Sequence, residues 1–169
     1  MKNFIWKIGW VSVMALILAG YTGHAYSQGS QNLYCSFEIG PGSALSGSYE
    51  VSIMEDQAYA YYDHENEQFV IEVHGDNYMD AMLIIERPDT GKHDFTMEMQ
   101  VAIDMSTNEG EDYFGFENYQ ENGGGYIQID QLDDPGGTVS GSFSGIFSDG
   151  ATDEDRSVQV SGSFAVNRQ

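Results

Sequence analysis

From Leu33 to the C-terminus, apolar and polar residues alternate with a period of two, and clusters of Gly, Pro, Asn and Asp interrupt the alternation every few residues. No stretch sustains the i, i+3, i+4, i+7 apolar spacing that lays a stripe along a helix. A period of two sends alternate side chains to opposite faces of a strand, so each segment has one face to bury. Short strands divided by turns predict an all-β chain, a single antiparallel β-sandwich or a barrel-like closure of the same strands.

The clearest hairpin runs from Ala58 to Val73 around the turn His64-Glu65-Asn66-Glu67. Pairing Asp63 with Gln68 sets Tyr62 against Phe69, Ala60 against Ile71 and Ala58 against Val73, a face of small residues against large ones that belongs in the core. The opposite face carries Tyr59 across from Glu72 and Tyr61 across from Val70, half polar and wetter. Further strands are expected over Leu33–Ile39, Gly47–Met54, Tyr78–Glu86, Asp94–Ile103, Tyr113–Phe116, Gly125–Gln131, Gly137–Phe147 and Arg156–Asn167. With no linker between them, residues 26–169 read as one domain.

A short repeat, Val139-Ser140-Gly141-Ser142-Phe143, returns as Val160-Ser161-Gly162-Ser163-Phe164. Val and Phe at i and i+4 share a face, and glycine between them lets a neighbour approach. The two copies are expected to be adjacent core strands joined across the acidic loop Ser148–Asp155. The segment Gly123–Arg168, with GGGYIQI, GGTVSGSFSGIF and VQVSGSFAVNR, resembles the C-terminal part of uncharacterised extracytoplasmic β-proteins of Bacteroidota and other environmental bacteria, often lipoproteins. The resemblance covers about a quarter of the chain. It implies a sandwich-like fold and a secreted or cell-envelope location, and it carries over no catalytic residue.

The first 25 residues read as a bacterial secretory signal peptide: Lys2 and Lys7, then the apolar run Ile8–Gly20, then Gly23-His24-Ala25 with small residues for cleavage after Ala25. The run is shorter than the roughly 20 apolar residues a membrane span needs. Leu18-Ala19-Gly20-Tyr21 is laid out like a lipobox, but Tyr21 has no thiol to acylate, so the protein is expected to be periplasmic, envelope-associated or secreted without a lipid anchor. Cleavage removes both Trp residues and leaves four basic residues (Arg87, Lys92, Arg156, Arg168) against 27 acidic ones, a formal charge of −23. Such a chain lacks the clustered Lys and Arg that bind nucleic acid, and an anionic membrane repels it. Cys35 is alone, so it makes no internal disulfide, and its alternation with Leu33 and Phe37 predicts burial.

Catalytic motifs fail on their own terms. Gly141-Ser142-Phe143-Ser144-Gly145 has Phe where a nucleophile elbow needs Ser, and Gly40-Pro41-Gly42-Ser43-Ala44-Leu45 lacks the last glycine of a dinucleotide loop. With 27 carboxylates, an acid pair at glycosidase spacing carries no information. His64, His74 and His93 border turns, and His64 among Asp63, Glu65 and Glu67 reads first as a solvated hairpin tip and second as a metal site. Calcium suits flexible carboxylate loops better: Asp149, Asp153 and Asp155 in one loop and Asp130, Asp133 and Asp134 near another would form a negative pocket if the loops met. The densest aromatic patch, with Tyr113, Phe116 and Tyr119, is the expected recognition surface for a glycan or cell-surface protein. The leading functional expectation is an exported non-enzymatic protein, binding or structural. The alternatives are a calcium-dependent adhesion or carbohydrate-binding module and a hydrolase without a recognised motif.

Overall fold

The computed structural model describes residues 33–96, 100–107, 112–118, 124–150 and 157–169, without the side chains of residues 54–56, 107 and 113. The signal segment and Tyr119, Asp153, Asp155 and Arg156 lie outside them. Eleven strands follow in chain order: β1 Tyr34–Ile39, β2 Gly47–Glu50, β3 Ile53–Asp63, β4 Gln68–Gly75, β5 Met79–Ile85, β6 Gly91–Asp94, β7 Val101–Thr107, β8 Asp112–Glu117, β9 Gly125–Leu132, β10 Thr138–Ser148 and β11 Ser157–Arg168. They form one mostly antiparallel sheet in the order β6-β9-β10-β11-β3-β4-β5-β7-β8, with β1 on β11 and β2 on β1.

The sheet folds over a single apolar core. One half, β2-β1-β11-β10-β9-β6, joins the other, β3-β4-β5-β7-β8, through a short parallel pairing of Asn167 with Tyr59 and Arg168 with Ala60. A bridge from Asn118 to Phe147 brings the free end of the second half back to β10. Inward residues from both halves make one buried cluster, in which Phe69, Phe116, Phe143, Phe147 and Phe164 are the largest side chains.

The Ala58–Val73 hairpin forms in the expected register, down to Asp63 opposite Gln68. Asp63 organises its tip, accepting from the Asn66 side chain and the Glu65 backbone. Ala58 and Ala60 enter the core as expected, but Tyr62, at the hairpin's end, is exposed. The repeat is explained by cross-strand packing. β10 and β11 pair with Gly141 opposite Phe164 and Phe143 opposite Gly162, so each phenylalanine lies over the other copy's glycine. Cys35 is buried, and burial pushes its thiol up to about 12, which leaves it chemically inert.

Two strands differ from expectation. Gly47–Met54 is broken after Glu50, because β2 pairs with β1 whereas β3 pairs with β4. Asp94–Ile103 is two strands in different halves, β6 against β9 and β7 against β5. The chain crosses between them with Phe95 seated over Gly125 and Gly145, whose missing side chains make room for its ring.

Candidate functional site

Because Ala58 and Ala60 point inward, Gln57, Tyr59 and Tyr61 of β3 belong to the outer face. Register carries that face across the sheet: Tyr59 sits opposite Glu72, His74 opposite Asp80, and Asp80 opposite Asp104 of β7. The result is an open patch of tyrosines, carboxylates and one histidine on three adjacent strands, bordered by a fourth.

Its groups are coupled in a line. The Tyr61 hydroxyl donates to Glu72 Oε1 at 3.1 Å. His74 Nε2 lies 3.6 Å from Glu72 Oε2, and its Nδ1 lies 3.3 Å from Asp80 Oδ1. The Tyr59 and Tyr61 rings are 5.9 Å apart, and Tyr59 is 6.3 Å from the imidazole. Glu72 is the most sheltered of the three ionisable partners, with 16% of its side chain exposed against 37% for His74 and 41% for Asp80. The patch therefore has a screened carboxylate at its centre and solvent at its margin.

Protonation follows from these contacts. Hydrogen bonds to Asp80 and then Glu72 push His74 up to about 9, against the opposing effect of burial. Burial disfavours the Glu72 carboxylate, but bonds from His74, Tyr59 and Tyr61 outweigh it and hold the group below its ordinary range. Burial, with the Glu72 charge beside it, keeps the Tyr61 phenol protonated above its usual range. At neutral pH the patch thus holds an imidazolium, ionised Glu72 and a neutral Tyr61.

A raised histidine stabilises the fold fully below its unfolded value near 6.5, and the contribution is lost as pH rises through about 9. For a ring this exposed, solvent screening reduces the effect to about 1 kcal/mol. Melting temperature should fall between pH 6.5 and 9.5, and His74→Gln should remove most of that slope. An unchanged slope in His74→Gln would show that the contacts contribute nothing.

The residues singled out from sequence are placed differently. Phe116 is fully buried opposite Ile103, so it belongs to the core and offers no recognition surface. The alternation that makes β8 a strand turns Phe114 and Phe116 inward together. Tyr113 of β8 pairs with Ser106 of β7. The described aspartates of the two groups do not meet. Asp133 and Asp134 precede β10 and Asp149 follows it, and eleven extended residues separate these ends by roughly 33 Å. Asp133 organises its own turn, accepting from the Thr138 amide at 3.0 Å and from Gln131 at 2.8 Å. Asp130 is exposed at a bulge, between residues paired with Ser140 and Gly141. Asp149 is buried and accepts from Ser43 Oγ at 2.9 Å.

Among the described residues no three His, Cys, Asp or Glu side chains are arranged to hold a metal ion. His64 packs edge-on against Tyr62 at its hairpin tip, and His93 is held by Asp89. A shallow depression at residues 86–93 is lined by charged side chains of that loop, with Lys92 paired to Asp94 at 2.6 Å.

The tyrosine and histidine patch was half legible. Tyr59 opposite Glu72 follows from the first hairpin, whereas the β4–β5 register that adds Asp80 to His74 depends on a second turn. The signal was there in the turn Asp76-Asn77-Tyr78, with Tyr78 in the left-handed region at φ 59°. The chain matches no family model, no curated protein and no solved structure.

Proposed function

We propose that this is an exported, non-enzymatic binding protein whose recognition surface is the outer face of β3, β4 and β5. The observation that carries the reading is the paired rings of Tyr59 and Tyr61 on an open sheet face, held from the neighbouring strand by Glu72 and His74. Half-buried tyrosines offer a broad apolar surface at little cost in side-chain freedom, which suits the faces of sugar rings or the side chains of a surface protein.

The electrostatics favour binding over catalysis. His74 is protonated at neutral pH and clamped between two carboxylates, so it has no lone pair to serve as a base. Tyr61 is held in its neutral form, a donor rather than a nucleophile. The N-terminal signal layout and the strong negative charge support a role outside the cytoplasm, away from nucleic acid and without stable membrane insertion.

Protein purified after export and screened on a glycan array should bind a subset of glycans. Tyr59→Ala combined with Tyr61→Ala should weaken that binding by about 10- to 100-fold, from roughly 0.5–1.5 kcal/mol per ring. Silence across the array, with no pull-down of a cell-surface protein that depends on the two tyrosines, would refute the assignment.

A further inference from the structure

Next to the tyrosines, the outer face of β4, β5 and β7 is apolar. Strand parity turns Val70, Met82, Ile84 and Ala102 outward, away from the inward-facing Ile71, Leu83, Val101 and Ile103. None of the four belongs to the core cluster, yet Val70 and Ala102 are buried, and Met82 and Ile84 are only partly exposed. Register explains this: Ile84 sits opposite Val70, with Tyr61 on its far side, and Met82 sits opposite Ala102. The four form one band that shelters its own smaller members from water, outside the core. Grouped apolar side chains on an outer face, rimmed by polar ones, mark interaction sites, whereas single ones need no explanation. Methionine and tyrosine are among the residue types enriched at the centres of protein interfaces.

Size and charge define what fits. Two strand spacings and one step from i to i+2 measure about 10 by 7 Å, and a stable dimer buries roughly 800 Å² on each partner. Two copies at a formal −21, or −23 without the signal segment, also repel one another. A single extended segment matches the band, since its alternate side chains repeat at about 7 Å, the interval from Met82 to Ile84. The rim is acidic: Glu72 lies opposite Met82, Glu117 opposite Ala102, and Asp80 opposite Asp104 in the next row, with His74 the one cation described among them. Glu72 and Asp80 already have partners, so this charge acts as a field over the face and not through new contacts. We infer that the band docks an extended segment of a basic partner protein, with apolar side chains at i and i+2 seated on Met82 and Ile84. The inference goes beyond the tyrosine surface proposed above and stands on different side chains.

Fluorescence anisotropy of the exported protein at 0.15 M salt tests the inference with three short labelled peptides of alternating Leu-Lys, Ser-Lys and Leu-Glu. Leu-Lys should bind about tenfold or more tightly than Ser-Lys, the scale of burying one leucine side chain, and Leu-Glu should not bind. Met82→Gln combined with Ile84→Thr should abolish the preference for Leu-Lys over Ser-Lys, with folding checked by thermal melts. Met82→Gln alone, at a partly exposed position, should reduce that preference several-fold and serves as the test if the double variant unfolds. Equal binding of Leu-Lys and Ser-Lys means attraction by charge alone and overturns the inference. A preference that neither variant reduces, or Leu-Glu binding as tightly as Leu-Lys, overturns it too. The tyrosine surface is judged separately, because glycans bound on the array should be retained in Met82→Gln. If those glycans are lost in Met82→Gln and no peptide binds, the band belongs to the glycan site and the protein partner is refuted. If Leu-Lys binds through Met82 while the array is silent, the docking band stands without a glycan role.

Discussion

Asn118→Ala is expected to destabilise the protein by about 2–6 kcal/mol, from two backbone donors orphaned in the core at roughly 1–3 kcal/mol each. Asn118 is fully buried at the seam where the sheet returns on itself. Its Oδ1 accepts from the amide of Gln100 at 3.1 Å and from that of Val101, the first residue of β7. Its own amide donates to Val101 O, so the side chain and backbone together hold the start of β7 to the end of β8. Ser148 Oγ, bonded to Glu117 O at 3.1 Å, fastens the same seam from β10. Alanine fits the space but leaves both donors unmet away from water. Asn118→Asp keeps the accepting oxygen and buries a charge, so its penalty should shrink as pH is lowered and the carboxyl protonates. Urea unfolding followed by circular dichroism reads both effects. A loss below about 0.5 kcal/mol for Asn118→Ala would mean that the seam does not hold the fold.

Gly162→Ala should cost about 1–3 kcal/mol, the range for forcing a methyl into a packed core. A Cβ at Gly162 would lie 2.6 Å from Ser36 O and press into the Phe143 ring. Gly141 is more constrained, since its Cβ would meet the backbone oxygen of Gln128, which cannot rotate away. Gly141→Ala should therefore exceed Gly162→Ala. The two differ in what the methyl meets first, the Phe143 ring at Gly162 and the Gln128 backbone oxygen at Gly141. Phe143→Leu should recover part of the loss in Gly162→Ala, as expected of residues that share one contact, and none of the loss in Gly141→Ala. Additive effects at Gly162 and Phe143 would contradict the reciprocal packing of the two repeats.

These positions show which parts of the fold can be read from the chain. The Val-Ser-Gly-Ser-Phe copies reveal adjacent strands, because a phenylalanine needs a glycine across from it and the spacing supplies one in each direction. The Asp63–Gln68 register is equally legible, since a four-residue turn leaves one alignment that puts Ala58 and Ala60 inside. The break between β6 and β7 is hidden: Phe95, Val101 and Ile103 keep the alternation of one continuous strand, and only the two tertiary partners, β9 and β5, separate them. The acidic groups misled for a related reason. Asp133 and Asp149 are close in sequence, but the strand between them is fully extended and carries them to opposite ends of the sheet. Within the expected aromatic patch Phe116 is excluded by parity, since the same period of two that predicts β8 also dictates that it faces inward.

Site formation on β3, β4 and β5 depends on register alone, with no motif to announce it. Tyr59, Glu72, His74 and Asp80 span 22 residues and meet only because two successive hairpins stack them in rows. The surface on the other half of the sheet is of a different kind, with Ser36, Ser142, Ser144, Ser161 and Ser163 in register across β1, β11 and β10. Short hydroxyls dominate that face, with Glu38 opposite Ser161 and Tyr126 opposite Ser144 as its larger groups. The chemical contrast between the two faces makes the location of binding decidable.

Backbone amide shifts in a two-dimensional nitrogen–proton NMR titration with a glycan that binds on the array test that location most directly. The largest changes should fall on Tyr59 to Tyr61, Glu72 to His74 and Asp80, and they should saturate together. Changes centred on the serine rows of β10 and β11, or no changes at all at millimolar ligand, would contradict it.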